Sequence, residues 1–333
     1  MMCTTFLARA LALASLCLLA GAPARAETTK CDGAGAPGSG AGQINNGNVP
    51  FTITAPGVYC VTQKITTNLT ASSSAAITIN ANNVLLDMND FAIGNLNAGP
   101  STLAIGIYAV DRQNIHVRNG TLRGFYVGVA LLNGTQVGLT TAASSGHTVE
   151  NMLSDTNYIA GLAAEGPYVT VQNNKVINTQ GSGLTSPLIP NAGNGANGIV
   201  VGGGAGILVA GNSVVDTDCV NACSIATANV QGIGIQPNSY GAVIRNNIIT
   251  NQTISAAGNG AHGINFGSGN GTAASSNSLA QGNVLMNWGK GINFCNNGTA
   301  VCTGDLISNI AVVGVATPYA GGASPTPTVG TNF

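Results

Sequence analysis

The chain repeats a short pattern of alternating apolar and polar residues that ends in asparagine. An aliphatic residue or alanine stands two or three positions before this Asn, and a second Asn or Asp follows four positions after it. A Gly-aliphatic step then opens another short strand. Asparagine tolerates the left-handed backbone that a tight corner requires. The pattern therefore predicts short strands separated by fixed corners. The repeating asparagines are Asn151, Asn174, Asn212, Asn247 and Asn283.

Stacking of these units predicts an all-β fold, a right-handed parallel β-helix with inserted loops at one corner. Repeats of about 20–40 residues that cannot bury a face alone must stack on their neighbours. Stacking would place Val149, Val171, Val209 and Ile244 in one inward column and the corner amides in a hydrogen-bonded ladder. Asn151 stands one residue out of this register. A β-sandwich with Gly-rich turns is the alternative, but it does not explain the recurrent corner.

Composition supports an extended solenoid and excludes some partners. Charged residues make up 6% of the chain, where typical domains have roughly 25%. The formal net charge is −1 and no basic patch is present, so a nucleic-acid partner is not expected. After the N-terminal segment no apolar run reaches about 18 residues, so no membrane span is expected. The pattern does not define an oligomeric state.

The N-terminus has the features of a secretory signal over residues 1–26. Arg9 supplies the positive charge, residues 10–21 are apolar, and Ala24 and Ala26 form a small-residue cleavage site. A Gly-rich lead-in over 27–49, one β-helix domain over 50–320 and a tail over 321–333 follow. The protein is therefore expected to be secreted, periplasmic or on the cell surface.

Six cysteines remain after the signal, which is an even number for an oxidising compartment. Sequence alone allows 15 connectivities. We expect nearest-neighbour pairing, because a solenoid keeps sequence neighbours close in space. The expected disulfides are Cys31–Cys60, Cys219–Cys223 and Cys295–Cys302. A zinc site at the middle pair is the rival interpretation, and the low number of histidines disfavours it.

The opening coils resemble those of bacterial right-handed parallel β-helix repeat proteins of the pectate-lyase-like superfamily. The segments that carry the resemblance are PFTIT at 50–54, PGVY at 56–59, VLLDMN at 84–89 and NIHVRNGTLRG at 114–124. The resemblance covers roughly residues 50–305. It implies the β-helix fold, and it leaves activity open because members include lyases, hydrolases, epimerases and adhesins.

One outward column is predicted to carry alternating charge. Its members are Asp87, Arg118, Glu150, Gln172, Ala210, Arg245 and Gln281. The simplest interpretation is a structural ladder of ion pairs about 4.8 Å apart. The alternative is that Arg118 and Arg123 bind an acidic sugar.

Asp155, Asp216 and Asp218 are candidate functional carboxylates, at or just after the second Asn or Asp of the repeat. Paired carboxylates suit glycoside hydrolysis, where one protonates the leaving oxygen and the other activates water or attacks. Asp216 and Asp218 lie two apart and would face the same side of a strand. The alternative for Asp155 and Asp216 is that they replace Asn at a turn. Asp155 is also a candidate for substrate binding.

His262 is the third candidate, in the segment Gly-Ala-His-Gly-Ile at 260–264. This segment resembles the Gly-His-Gly motif of polygalacturonases, although the other motifs of those enzymes are absent. No metal site and no cofactor are expected. The predicted function is binding or processing of an extracellular polysaccharide, as a lyase or glycoside hydrolase if it is an enzyme. The alternative is a non-catalytic structural or adhesive protein of the cell envelope.

Overall fold

The computed structural model describes residues 42–134, 144–189, 194–220, 223, 228–252, 260–267, 276–294, 306–320 and 328–329. Within these residues the regular secondary structure is β-strand, apart from a 3-10 helix, η1 (Leu96–Ala98). Neighbouring strands pair in parallel, each with the equivalent strand of the next coil. No helix among the described residues has the length and hydropathy needed to cross a bilayer.

Each coil contributes strands to three faces, which we number in chain order. Face 1 is a ten-stranded sheet. Its strands are β2 (Phe51–Ile53), β5 (Ala75–Ile79), β8 (Ile105–Val110), β10 (Val127–Leu132), β12 (Ala160–Glu165), β15 (Gly195–Gly202), β18 (Asn229–Ile235), β21 (Ala261–Phe266), β24 (Lys290–Phe294) and β27 (Thr317–Ala320).

Faces 2 and 3 share a sheet, because β9 (Ile115–Arg123) and β11 (Thr148–Asp155) run through both. The other strands of face 2 are β1 (Gln43–Ile44), β3 (Gly57–Val61), β6 (Val84–Asp87), β13 (Thr170–Gln172), β16 (Leu208–Ala210), β19 (Val243–Arg245), β22 (Leu279–Gln281), β25 (Leu306–Ser308) and β28 (Thr328–Val329). Those of face 3 are β4 (Ile65–Thr66), β7 (Ala92–Gly94), β14 (Lys175–Thr179), β17 (Ser213–Thr217), β20 (Ile248–Thr250), β23 (Val284–Met286) and β26 (Ala311–Val313).

The chain therefore folds as a right-handed parallel β-helix, as the repeat predicts. The predicted inward column is confirmed, since Val149, Val171, Val209 and Ile244 are in register and fully buried. The outward column from Asp87 to Gln281 is also in the predicted register. Alternation of side chains along each strand is enough to specify both columns.

The corner between faces 2 and 3 explains why Asn151 is out of register. Asn151 is exposed, and its φ of 53° matches the 55° of Asn173, so both occupy the left-handed corner position. Met152 takes the next position, where its backbone N–H donates to Oδ1 of Asn174 at 3.0 Å. Asn174, Asn212, Asn247 and Asn283 form the predicted buried ladder.

The strands extend into both segments assigned to termini. Ile44 of β1 is fully buried and pairs with Val61, so the first coil begins before residue 50. β28, which lies inside the expected tail, pairs with β25 of the preceding coil. Short strands with little alternation give no periodic signal, so the sequence pattern does not predict β1 or β28. The signal segment, residues 1–26, lies outside the described residues.

Candidate functional site

Face 1 changes character along the helix axis. One outward row runs through Val127, Ala160, Asn197, Gln231, His262 and Lys290 in strand register. We call it the His262 row. A parallel row, the Asn265 row, runs through Ala130, Ala163, Val200, Gly234, Asn265 and Asn293. Both rows are apolar in the N-terminal coils and become polar in the C-terminal coils.

The insertion that follows β14 covers the apolar half. Leu184, Leu188 and Ile189 pack on an outward apolar cluster that includes Ile105 and Val127. The hydroxyl of Tyr126 donates to the carbonyl oxygen of Leu184 at 2.6 Å, and the Ser186 hydroxyl donates to the Ser72 carbonyl at 3.1 Å. We call residues 182–189 the strap. It lies across face 1.

Several buried hydrogen-bonding atoms of the polar half have no partner among the described residues. Both ring nitrogens of His262 are such atoms, and the residue is 1% exposed. Oε1 of Gln231 and Oδ1 of Asn293 are also buried and unpaired. Nδ2 of Asn293 donates to Oδ1 of Asn265 at 2.7 Å. Buried polar atoms in proteins almost always have partners, so these atoms require an explanation.

His262 is neutral at ordinary pH. Burial lowers its pKa to about 4, and the positive charge of Lys290 acts in the same direction. A neutral imidazole carries one N–H donor and one acceptor nitrogen. His147 also has a pKa of about 4 because of burial, but it is fully bonded. Its Nδ1 accepts from the Ile115 N–H at 3.3 Å, and its Nε2 lies 2.6 Å from Oγ of Ser144.

The other sequence-predicted residues are engaged within the fold. Nε of Arg118 lies 2.9 Å from Oδ2 of Asp87, and Nη2 of Arg123 lies 2.6 Å from Oδ2 of Asp155. Asp155 is one residue before the left-handed position, which Thr156 occupies, so it is not the turn residue. Arg118 lies on face 2 and Arg123 on face 3, away from the rows of face 1.

The two carboxylates that were expected to share a side have different partners. Asp216 occupies the left-handed corner with φ of 54° and accepts from the backbone N–H and Nε2 of Gln252. The extended geometry that would align it with Asp218 is therefore broken. Oδ1 of Asp218 accepts from the Cys219 N–H at 2.7 Å. Asp218 lies in the loop after β17, whereas His262 lies within β21.

The cysteines agree with the expected pairing where the structure describes them. Cys219 and Cys223 form a disulfide with Cα atoms 5.9 Å apart. Cys60 is also disulfide-bonded. Its expected partner Cys31, and both Cys295 and Cys302, lie outside the described residues.

A buried carboxyl group that the sequence did not suggest lies at the end of β12. Glu165 is 2% exposed, and its oxygens accept from the Asn133 N–H and from Nε2 of Gln236, each at 2.9 Å. Burial raises its pKa despite these two bonds. The next amide, that of Gly134, donates to Asp111. No group of three or more metal-ligating side chains occurs among the described residues.

The sequence analysis singled out His262 as a candidate, but it did not single out Gln231, Asn265 or Asn293, which lie in the same two rows. The sequence feature that could have indicated the two asparagines is the repeated segment Gly-Ile-Asn-Phe at 263–266 and 291–294. In both copies Ile and Phe enter the core, so the Asn between them must face outward.

No family model and no curated protein sequence matches the chain. Solved structures that it is similar to include two tailspike proteins of bacteriophage CBA120. The enzymatically active domain of tailspike protein 2 is 13% identical, with a TM-score of 0.44 over 81% of this chain and 38% of that one. Tailspike protein 3 is 12% identical, with a TM-score of 0.42 over 85% of this chain and 52% of that one.

The A-module of the Azotobacter vinelandii mannuronan C-5 epimerase AlgE4 is 14% identical, with a TM-score of 0.27 over 83% of this chain and 90% of that one. The chain spans about two fifths to one half of the two tailspike structures. Identities and TM-scores this low carry no information on activity.

Proposed function

We propose that this protein is exported and binds a hydroxyl-rich polysaccharide along the polar half of face 1. The single observation that carries the proposal is the set of buried, unpaired polar atoms on Gln231, His262 and Asn293. Leaving such an atom without a partner costs about 1–3 kcal/mol. A ligand that completes these hydrogen bonds would explain why several unpaired polar atoms lie on neighbouring strands.

The chemistry of these atoms favours sugars over charged ligands. Amide and neutral imidazole groups both donate and accept, as sugar hydroxyls do. Equivalent positions on successive coils are about 4.8 Å apart, so the rows offer a regular series of contacts to a linear polymer. Lys290 is the charged member of the two rows on these coils. The disulfide at Cys219 and Cys223 supports an oxidising, extracytoplasmic compartment.

Binding is better supported than processing. Asp216 and Asp218 each accept hydrogen bonds from their own loops, and Asp155 is paired with Arg123. A non-catalytic rod or adhesin is the second candidate, because the charges of face 2 are used in a ladder and Trp288 is fully buried. That candidate predicts no saccharide on face 1.

A panel of neutral and acidic polysaccharides tests the proposal. Binding is measured by affinity electrophoresis and calorimetry, and unsaturated products and new reducing ends report processing. We expect binding to at least one polymer, and His262→Leu should weaken it about tenfold or more by removing a hydrogen-bonded pair. The same variant should melt at or above the wild-type temperature, because it removes two unpaired buried atoms.

The control is His116→Ala, since His116 is partly exposed on face 2 and pairs with Glu150 at 2.8 Å. It should bind like the wild type. A His262→Leu protein that binds with unchanged affinity would show that the unpaired atoms serve no ligand.

A further inference from the structure

Two exposed tyrosines lie at the corner between faces 1 and 2. Tyr168 is 70% exposed and Tyr240 is 51% exposed. The Tyr168 N–H donates to the Ala205 carbonyl at 2.8 Å, and the Tyr240 N–H donates to the Gly204 carbonyl at 3.0 Å. Both therefore border the same middle coil, one on each side. They are two coil spacings apart, or roughly 10 Å.

The middle coil presents almost no side chains between the rings. Residues 202–206 read Gly-Gly-Gly-Ala-Gly. A Cβ placed on Gly206 would lie 2.9 Å from Cδ1 of Tyr168, so the tyrosine ring lies over the bare backbone of this glycine. A larger residue at 206 would displace the ring. The corner thus forms a low strip flanked by two aromatic side chains.

Tyr168 occupies this place at a conformational cost. Its φ of 60° is in the left-handed region, where a bulky residue is an outlier and Asn or Gly is preferred. Asparagine fills left-handed positions at Asn83, Asn114 and Asn238 near corners of the same coil stack. Stability alone would select Asn at 168 as well. Residues held in sparsely populated backbone conformations cluster at functional sites.

We propose that Tyr168 and Tyr240 form an aromatic platform on which sugar rings of a polysaccharide stack, at a site separate from the rows of face 1. The inference takes its ligand class from the proposed function. The apolar C–H face of a pyranose fits the face of a tyrosine ring, and the phenol hydroxyl remains available to sugar hydroxyls. Two rings with a bare strip between them fit an extended chain better than a compact ligand.

Three variants test the platform with the polysaccharide to which the wild type binds best. Tyr168→Asn relieves the backbone strain and removes the ring, Tyr168→Phe keeps the ring, and Tyr240→Ala removes the second ring. We expect Tyr168→Asn with Tyr240→Ala to lose about tenfold in affinity, which corresponds to about 0.5–1.5 kcal/mol for each aromatic contact. Tyr168→Phe should lose less than about threefold on the same scale. Leu306→Ala, a comparably exposed apolar residue on face 2, is the matched control and should bind normally.

Stability separates a ligand role from a packing role. Tyr168→Asn should melt at or above the wild-type temperature, and a clear decrease would overturn the proposal. Nitration of Tyr168 and Tyr240 should be slowed by the polysaccharide, with buried Tyr126 as the internal reference. If the wild type binds a polymer and the double variant binds equally well, the platform is overturned and the site on face 1 stands. If the wild type binds no polymer of the panel, both proposals are overturned.

Discussion

Nδ2 of Asn212 donates to Oδ1 of Asn247 at 2.9 Å inside the corner between faces 2 and 3. The same Nδ2 also donates to the Val171 carbonyl, and Oδ1 of Asn212 accepts from the backbone N–H and Nδ2 of Asn174. Each amide therefore joins the coils on either side, which explains why the repeat places Asn at this position in successive coils.

Asn212→Leu should lower the free energy of unfolding by more than about 3 kcal/mol. The leucine leaves several buried groups of Asn174, Val171 and Asn247 without partners, each costing about 1–3 kcal/mol. Chemical denaturation measures the change. Asn246→Gly is the matched control, because this exposed neighbour has φ of 55°, which glycine adopts freely. If Asn246→Gly lowered the free energy of unfolding as much as Asn212→Leu, the loss could not be attributed to the asparagine ladder.

Acid should destabilise the protein through its buried histidines. The folded-state pKa values of His262 and His147 are both about 4, against an ordinary 6.5. Their contribution is therefore complete above pH 6.5 and is lost as the pH falls toward 4. Each shift is equivalent to about 3 kcal/mol. His262→Leu should reduce the loss of melting temperature between pH 7 and pH 4, and an unchanged loss would contradict burial of a neutral imidazole.

Glu165 should have the opposite pH dependence. Its pKa is raised by burial, so its contribution is present below the ordinary carboxyl pKa and is lost as the pH rises through the folded-state value. Glu165→Gln removes the ionisation while a flipped Gln236 amide can still pair with it. The histidines increase stability between pH 4 and pH 7, and ionisation of Glu165 opposes that increase, so we expect Glu165→Gln to gain more stability than the wild type over this interval.

The sequence was sufficient to predict the strands of each coil and their register, but not the strap that covers part of face 1. The outward column from Asp87 to Gln281 follows from alternation alone, because register in a stacked sheet repeats at every coil. The path of the strap does not follow from alternation. It depends on which side chains of face 1 come into contact with Leu184 and Leu188. Trp288 illustrates the same limit: the sequence does not reveal that this side chain is fully buried and donates its Nε1–H to the Ile249 carbonyl.

The last prediction concerns the disulfide and the strap. Val220 donates its N–H to the Gln180 carbonyl, and a Cβ on Gly181 would lie 2.6 Å from Sγ of Cys223. Val220 and the disulfide therefore pack against Gln180 and Gly181, the residues that lead into the strap. Replacing Cys219 and Cys223 by serine removes the cross-link at this contact, so the strap should open more often.

Hydrogen exchange measures this directly. We expect faster exchange of backbone amides in residues 180–189, including the Ile189 N–H that bonds to the Ser186 carbonyl. Amides of β13 and β16 serve as the internal control. They should exchange at the wild-type rate, because these strands pair in parallel on face 2, whereas the strap covers face 1. Equal acceleration in both regions would mean that the disulfide stabilises the whole helix rather than the strap.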